Sequence, residues 1–79
     1  MKLTLYTRRG CHLCEEARQV IESVKQRYAF DYEECDIDTD PQMRHLYNEE
    51  IPVIAIDGRK AFKYRVTPEE LLKKLAARS

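Results

Sequence analysis

An excess of charge of one sign, a second cysteine pair and any long apolar run are all missing from this 79-residue chain, and each absence removes a class of function. Its 14 Lys and Arg side chains balance 14 Asp and Glu, so it lacks the electrostatic footprint that holds a nucleic acid or an anionic membrane surface. No apolar stretch approaches the roughly 20 residues of a membrane span. Met1-Lys2 runs straight into Leu3-Thr4-Leu5-Tyr6 with no signal-like segment. Such a chain is expected to be soluble and cytoplasmic. Three cysteines, an odd number, suit a disulfide-stapled secreted scaffold poorly and suit a reducing compartment with one working pair. At this length one domain is expected, near the lower limit for a core-stabilised fold, so nearly every periodic apolar position must be core.

Glycine and proline are sparse enough for each to have a job. Leu3 and Leu5 mark a short first strand. From Cys14, the residues Ala17, Ile21, Val24 and Tyr28 recur at helical spacing with Val20 beside them, while Glu15, Glu16, Arg18, Glu22, Lys25 and Arg27 take the other faces. Phe30 to Ile37 alternates apolar and acidic residues and reads as a strand with an irregularity near Glu33-Glu34. Asp40 is a cap and Pro41 a first helical residue for a short helix whose apolar face is Met43, Leu46 and Tyr47. Val53-Ile54-Ala55-Ile56 reads as a strand buried on both faces, and Asp57-Gly58 turns it back through Lys60-Ala61-Phe62. Thr67-Pro68-Glu69-Glu70 opens a last helix with a capping box, and Leu71, Leu72, Leu75 and Ala76 supply its buried face. The order is βαβ, helix, β-hairpin, helix, an α/β fold with helices on the faces of a sheet.

The first strand-to-helix junction carries Cys11-His12-Leu13-Cys14. Residues i and i+3 at a helix start share a face, close enough for a disulfide to form and open with little backbone movement. The free N–H groups and positive dipole end of the first turn favour a thiolate, which is the nucleophilic form. The apolar stripe sends Cys14 toward the core and leaves Cys11 at the helix entrance. Arg8, Arg9 and a protonated His12 favour charge on Cys11, whereas Glu15 and Glu16 oppose it. His12 is either a modulator of that thiol or an exposed first-turn residue. Cys35 is read as a packed strand thiol and His45 as a helix-surface residue. The acidic run Asp31, Glu33, Glu34, Asp36, Asp38 and Asp40 is explained by an alternating strand and a cap, without a metal. Pro52 opens a strand, in either peptide isomer as far as the residues alone go.

Tyr6-Thr7-Arg8-Arg9-Gly10-Cys11-His12-Leu13-Cys14 resembles the active-site segment of glutaredoxins, within the thioredoxin-like superfamily, and Ile51-Pro52-Val53 resembles that family's cis-proline segment. The resemblance covers almost all of residues 1–79 and implies a single glutaredoxin-like domain, βαβ-α-ββα, with a four-stranded mixed sheet flanked by helices. It implies a small dithiol–disulfide oxidoreductase in which Cys11 is the nucleophile and Cys14 the resolving thiol, with Arg8, Ile51 and Pro52 binding substrate. Pro52 is then cis, and the backbone of Ile51 pairs with an extended substrate. Glutathione-binding members usually carry a proline after the first cysteine, a Gly-Gly pair after the hairpin and then an acidic residue. Here those places hold His12, then Ala61-Phe62-Lys63-Tyr64, then Arg65, while Arg8 does match the basic position that meets the tripeptide's carboxylate. Only part of a glutathione site is therefore implied.

No bound cofactor is expected, with glutathione as a candidate reductant. The expected partners are a disulfide-containing protein substrate and either glutathione or a donor of the thioredoxin-reductase type, with no nucleic acid, no membrane and a monomeric chain. Two other classes compete. A metal or iron–sulfur module on Cys11 and Cys14 would need ligands from a partner chain or glutathione, because a closed zinc site usually takes four. A non-catalytic interaction domain would show no reductase activity with any donor.

Overall fold

The structure, a computed structural model, describes residues 1–78. Its elements are β1 (Lys2–Thr7), α1 (His12–Lys25), β2 (Asp31–Asp36), a 3-10 turn (Ile37–Thr39), α2 (Pro41–Tyr47), β3 (Val53–Ile56), β4 (Arg59–Lys63) and α3 (Pro68–Arg78). The four strands form one sheet in the order β2-β1-β3-β4. β1 runs parallel to β2 and antiparallel to β3, and β3 is antiparallel to β4. The sheet is therefore mixed, and the α/β fold expected from the element order is the one observed.

Strand alternation decides which face carries the core. Leu3 and Leu5 of β1 face the same side as their register partners Ile56 and Ile54, and with Ile21 and Val24 of α1 and Leu71 and Leu75 of α3 they form one cluster of fully buried side chains. Tyr6, on the opposite parity of β1, stacks on Tyr47 of α2 at 4.5 Å between ring centroids, so α2 covers the other face. Val53 to Ile56 are all buried, since β3 is central and has helices on both sides. Among the described residues no helix is long and apolar enough to cross a membrane.

The local signals act as their chemistry demands. Asp40 Oδ1 accepts from the Gln42 amide at 2.9 Å with Pro41 at the first helical position. Thr67 and Glu70 exchange the two hydrogen bonds of a capping box, at 3.2 and 3.1 Å. Asp57 and Gly58 both have positive φ, 51° and 83°, the pairing that a two-residue turn of the primed type needs.

Three expectations are corrected. β2 pairs with β1 in unbroken register from Asp31 to Asp36, and the irregularity lies instead at Ile54/Ala55 in the β3–β4 pair. The acidic residues that suggested a bulge in β2 are accommodated by exposure, because β2 is an edge strand. α1 stops at Lys25, before Tyr28, where the amides of Arg27 and Tyr28 both turn back to the Val24 carbonyl. Tyr28 still packs on the core from the following turn, its hydroxyl donating to the Leu75 carbonyl at 3.4 Å. On α2, Met43 and Tyr47 are half-buried but Leu46 is 62% exposed, so the apolar face is narrower than its spacing suggested.

Candidate active site

Thr7, buried at the end of β1, leads into Arg8-Arg9-Gly10, and Gly10 takes φ +75°, a conformation that L side chains rarely adopt. That turn delivers Cys11 to the N-cap of α1 in extended backbone conformation. The Cys11 carbonyl accepts from the Glu15 amide at 3.3 Å, and its Sγ accepts from the Cys14 amide at 3.2 Å. A sulfur thus occupies the place that a Ser or Asp oxygen takes in an ordinary cap. The Cα atoms of Cys11 and Cys14 are 5.2 Å apart and their sulfurs are placed to form a disulfide. The two members are unequal: Cys14 is 1% exposed at the head of the α1 core stripe, and Cys11 is partly open to solvent.

Charge around the pair is largely organised by arginine. Arg8 donates to Asp38 through Nε at 3.2 Å and Nη2 at 2.8 Å, and Nη2 also donates to Asn48 Oδ1 at 2.8 Å. This holds the Asp38 carboxyl below the usual carboxylate range. Arg18 joins Glu15 at 2.5 Å to Glu34 of β2 at 2.7 Å. Glu15, which by sequence opposes charge on Cys11, is therefore paired, and part of that opposition is removed. His12 is exposed on the first turn.

The Ile51–Pro52 bond is cis and Pro52 is buried. Register explains its position: Val53 is opposite Tyr6, which brings Pro52 level with Thr7 at the sheet end from which the Cys11 turn departs. Cys11, Cys14, Arg8, Ile51 and Pro52 thus gather at one end of the sheet. The Pro52 carbonyl accepts from the Tyr64 amide at 2.9 Å, joining the turn after β4 to the same end. Cys35 lies on edge strand β2, half-buried, where burial and then the Glu33 carboxylate push its thiol pKa up. Among the described residues no three His, Cys, Asp or Glu side chains are grouped so as to hold a metal ion.

Sequence reasoning missed Asp38 and Asn48 as the partners of Arg8, and Tyr64 as a neighbour of Pro52. Nothing in their spacing signals either, because the contacts span 30, 40 and 12 positions. The one local sign was the bulky residue standing where a glycine pair is usual.

A mixed sheet with helices on both faces and a cysteine pair at the β1–α1 junction defines the thioredoxin-like class. Thioredoxin 1 of Thermosipho africanus superimposes with a TM-score of 0.72 over 99% of this chain and 93% of its own, at 14% identity, which is likeness of fold alone. The chain belongs to the glutaredoxin-like domain family (DUF836), whose model matches residues 2–76. A glutaredoxin-like protein of Dictyostelium discoideum, the YDR286C homolog, is 30% identical over 77 residues, 90% of this chain and 71% of the relative. Among solved structures, protein XcR50 of X. campestris is 29% identical with a TM-score of 0.82, covering 95% of this chain and 96% of that one. Protein Ne2328 of Nitrosomonas europaea is 28% identical with a TM-score of 0.78, covering 92% and 88%.

Proposed function

We propose that the protein is a dithiol–disulfide oxidoreductase that reduces protein disulfides or mixed disulfides through Cys11 and Cys14. The observation that carries this reading is the unequal pair at the start of α1, with Cys11 partly exposed and Cys14 buried. In the reduced protein the Cys11 thiolate attacks one sulfur of a substrate disulfide. The substrate S–S bond breaks, a Cys11–substrate mixed disulfide forms, and the other substrate sulfur leaves as a thiolate that takes a proton from water. Cys14, deprotonated, then attacks Cys11 Sγ. The Cys11–Cys14 bond forms, the second substrate thiolate leaves and is protonated, and two electrons have passed from the pair to the substrate. The helix N-terminus favours the negative sulfur at Cys11.

Arg8 and the Ile51-Pro52 segment flank this path and serve as the substrate-binding elements, with His12 as a modulator of the thiol. An anionic group meeting Arg8 has to exchange for the Asp38 carboxylate, which already takes two of its donors. Together with Tyr64 and Arg65 after the hairpin, this favours a protein substrate and a donor of the thioredoxin-reductase type over glutathione. A reducing, cytoplasmic compartment suits a pair that must be returned to the dithiol after each cycle.

The test is reduction of a protein disulfide with thioredoxin reductase or with glutathione plus its reductase as donor. Cys11→Ser is expected to abolish turnover and Cys14→Ser to stop at the mixed disulfide. Turnover of the wild-type kind in Cys11→Ser would sink the assignment.

A further inference from the structure

Glu15 stands one helical turn after Cys11, its amide donating to the Cys11 carbonyl at 3.3 Å. Side chains on a helix lean toward its N-terminus and cover the turn before them. An unrestrained carboxylate at Glu15 is thereby directed back over the turn that Cys11 caps, where it opposes the thiolate that the helix end favours. In this protein it is drawn sideways instead. Arg18, three residues further along α1, donates to it through Nη1 at 2.5 Å. The guanidinium is itself fixed from outside the helix, since Nε and Nη2 both donate to Glu34 Oε1 on β2, at 3.0 and 2.7 Å. A planar fork with two donors committed to a strand carboxylate presents its third in a set direction.

Glu15, Arg18 and Glu34 border, with Arg9 and Gly10, a cleft of about 370 Å³ beside the turn that delivers Cys11. Arg18 is the cation that α1 itself brings to this cleft. The other charges near the turn are placed differently. Arg8 is engaged by Asp38, and Asp36 accepts from the Asp38 amide at 2.9 Å. His12 is exposed, while Glu16 and Arg65 line a separate groove with Leu13.

We propose that Arg18 is a positioning residue of the dithiol site: anchored on Glu34, it holds the Glu15 carboxylate away from Cys11 and so keeps the Cys11 thiolate favoured at neutral pH. The proposal rests on Cys11 being the nucleophile and names what sets the reactivity of that sulfur. Its effect passes through Glu15, and it does not switch off with pH, because a guanidinium stays protonated.

The test uses the full chain with Cys14→Ser and Cys35→Ser, so that Cys11 is its one thiol, and follows its alkylation by iodoacetamide, an uncharged reagent, as a function of pH. Arg18→Gln is expected to displace the profile upward by about half a pH unit. The rate should then be about twofold lower below the midpoint and no lower above it, because a less acidic thiol is the better nucleophile once ionised. Arg18→Lys, which keeps the charge, should displace the profile less. With Glu15→Gln already present, Arg18→Gln should displace it by roughly half as much or less, since no carboxylate is released. An unmoved profile in Arg18→Gln, a rate lowered equally at every pH, or the same displacement with and without Glu15→Gln would overturn the proposal. Each of those results leaves Cys11 as a titrating nucleophile and the oxidoreductase reading intact. A Cys11 that is not alkylated at any pH overturns that reading and this proposal with it.

Discussion

The amide of Cys14 donates to the sulfur of Cys11 across 3.2 Å, so the first cysteine is at once the outer member of the pair and the cap of the helix that carries it. In the reduced protein this separates two effects of replacing Cys11. Serine keeps a capping acceptor and alanine has none, so Cys11→Ala is expected to be less stable than Cys11→Ser by about 1 kcal/mol. Urea denaturation under reducing conditions measures the difference, and equal midpoints would mean that the sulfur does not cap.

Asp38 is exposed and accepts two hydrogen bonds from Arg8, which hold its carboxyl below the usual carboxylate range. A folded-state pKa below the unfolded one gives stability that is present at neutral pH and is lost as pH falls through the lowered value. Asp38→Asn is therefore expected to lose less stability than the wild type between about pH 5 and about pH 2. Raising the salt concentration should narrow the gap, because exposed pairs are screened. A parallel pH dependence in the two proteins would show that the pair contributes nothing.

Burial, and after it the Glu33 carboxylate, raises the pKa of the Cys35 thiol. The fold favours the neutral thiol, so this contribution to stability is complete below the unfolded-chain pKa and is lost as pH rises through the folded value. Alkylation of Cys35 by iodoacetamide should then be slower at mildly alkaline pH in the folded protein than in urea, with its pH profile displaced upward. Peptide mapping of alkylated Cys35 provides the measurement, and a profile matching that of the unfolded chain would contradict the expectation.

Gly58 takes φ +83° beside Asp57 at +51°, and nothing lies within 4 Å of where a Cβ would stand. The cost of Gly58→Ala is therefore conformational and not steric, on the order of 1 kcal/mol. Thermal unfolding should show a modest fall in Tm, whereas no change would mean that the turn relaxes out of the left-handed region.

Much of the architecture was legible in the residues, because the signals are local. Asp40-Pro41 and Thr67 to Glu70 act through neighbours two or three positions away, and Asp57-Gly58 needs only its own two backbone conformations. The unequal character of Cys11 and Cys14 was readable too, since helical spacing alone places Cys14 in line with Ala17, Ile21 and Val24. The irregularity in the sheet was misplaced for the opposite reason: the acidic residues of β2 are tolerated because it is an edge strand, and edge position depends on the order of all four strands. Leu46 was assigned to a buried face by its spacing, yet a seven-residue helix touching the sheet through Tyr47 leaves it in solvent.

Chain chemistry alone thus determined the order of elements, the caps and turns, and the presence of a dithiol at a helix start, all set by interactions within a few residues. Tertiary structure decided which groups surround the pair. Arg8 meets Asp38 and Asn48, Arg18 reaches across from α1 to Glu34 of β2, and Tyr64 is pinned to Pro52, each between residues far apart in the chain. Such partners come together only after the sheet has set its strand order and register, and no periodicity along the chain encodes a contact that strand pairing creates.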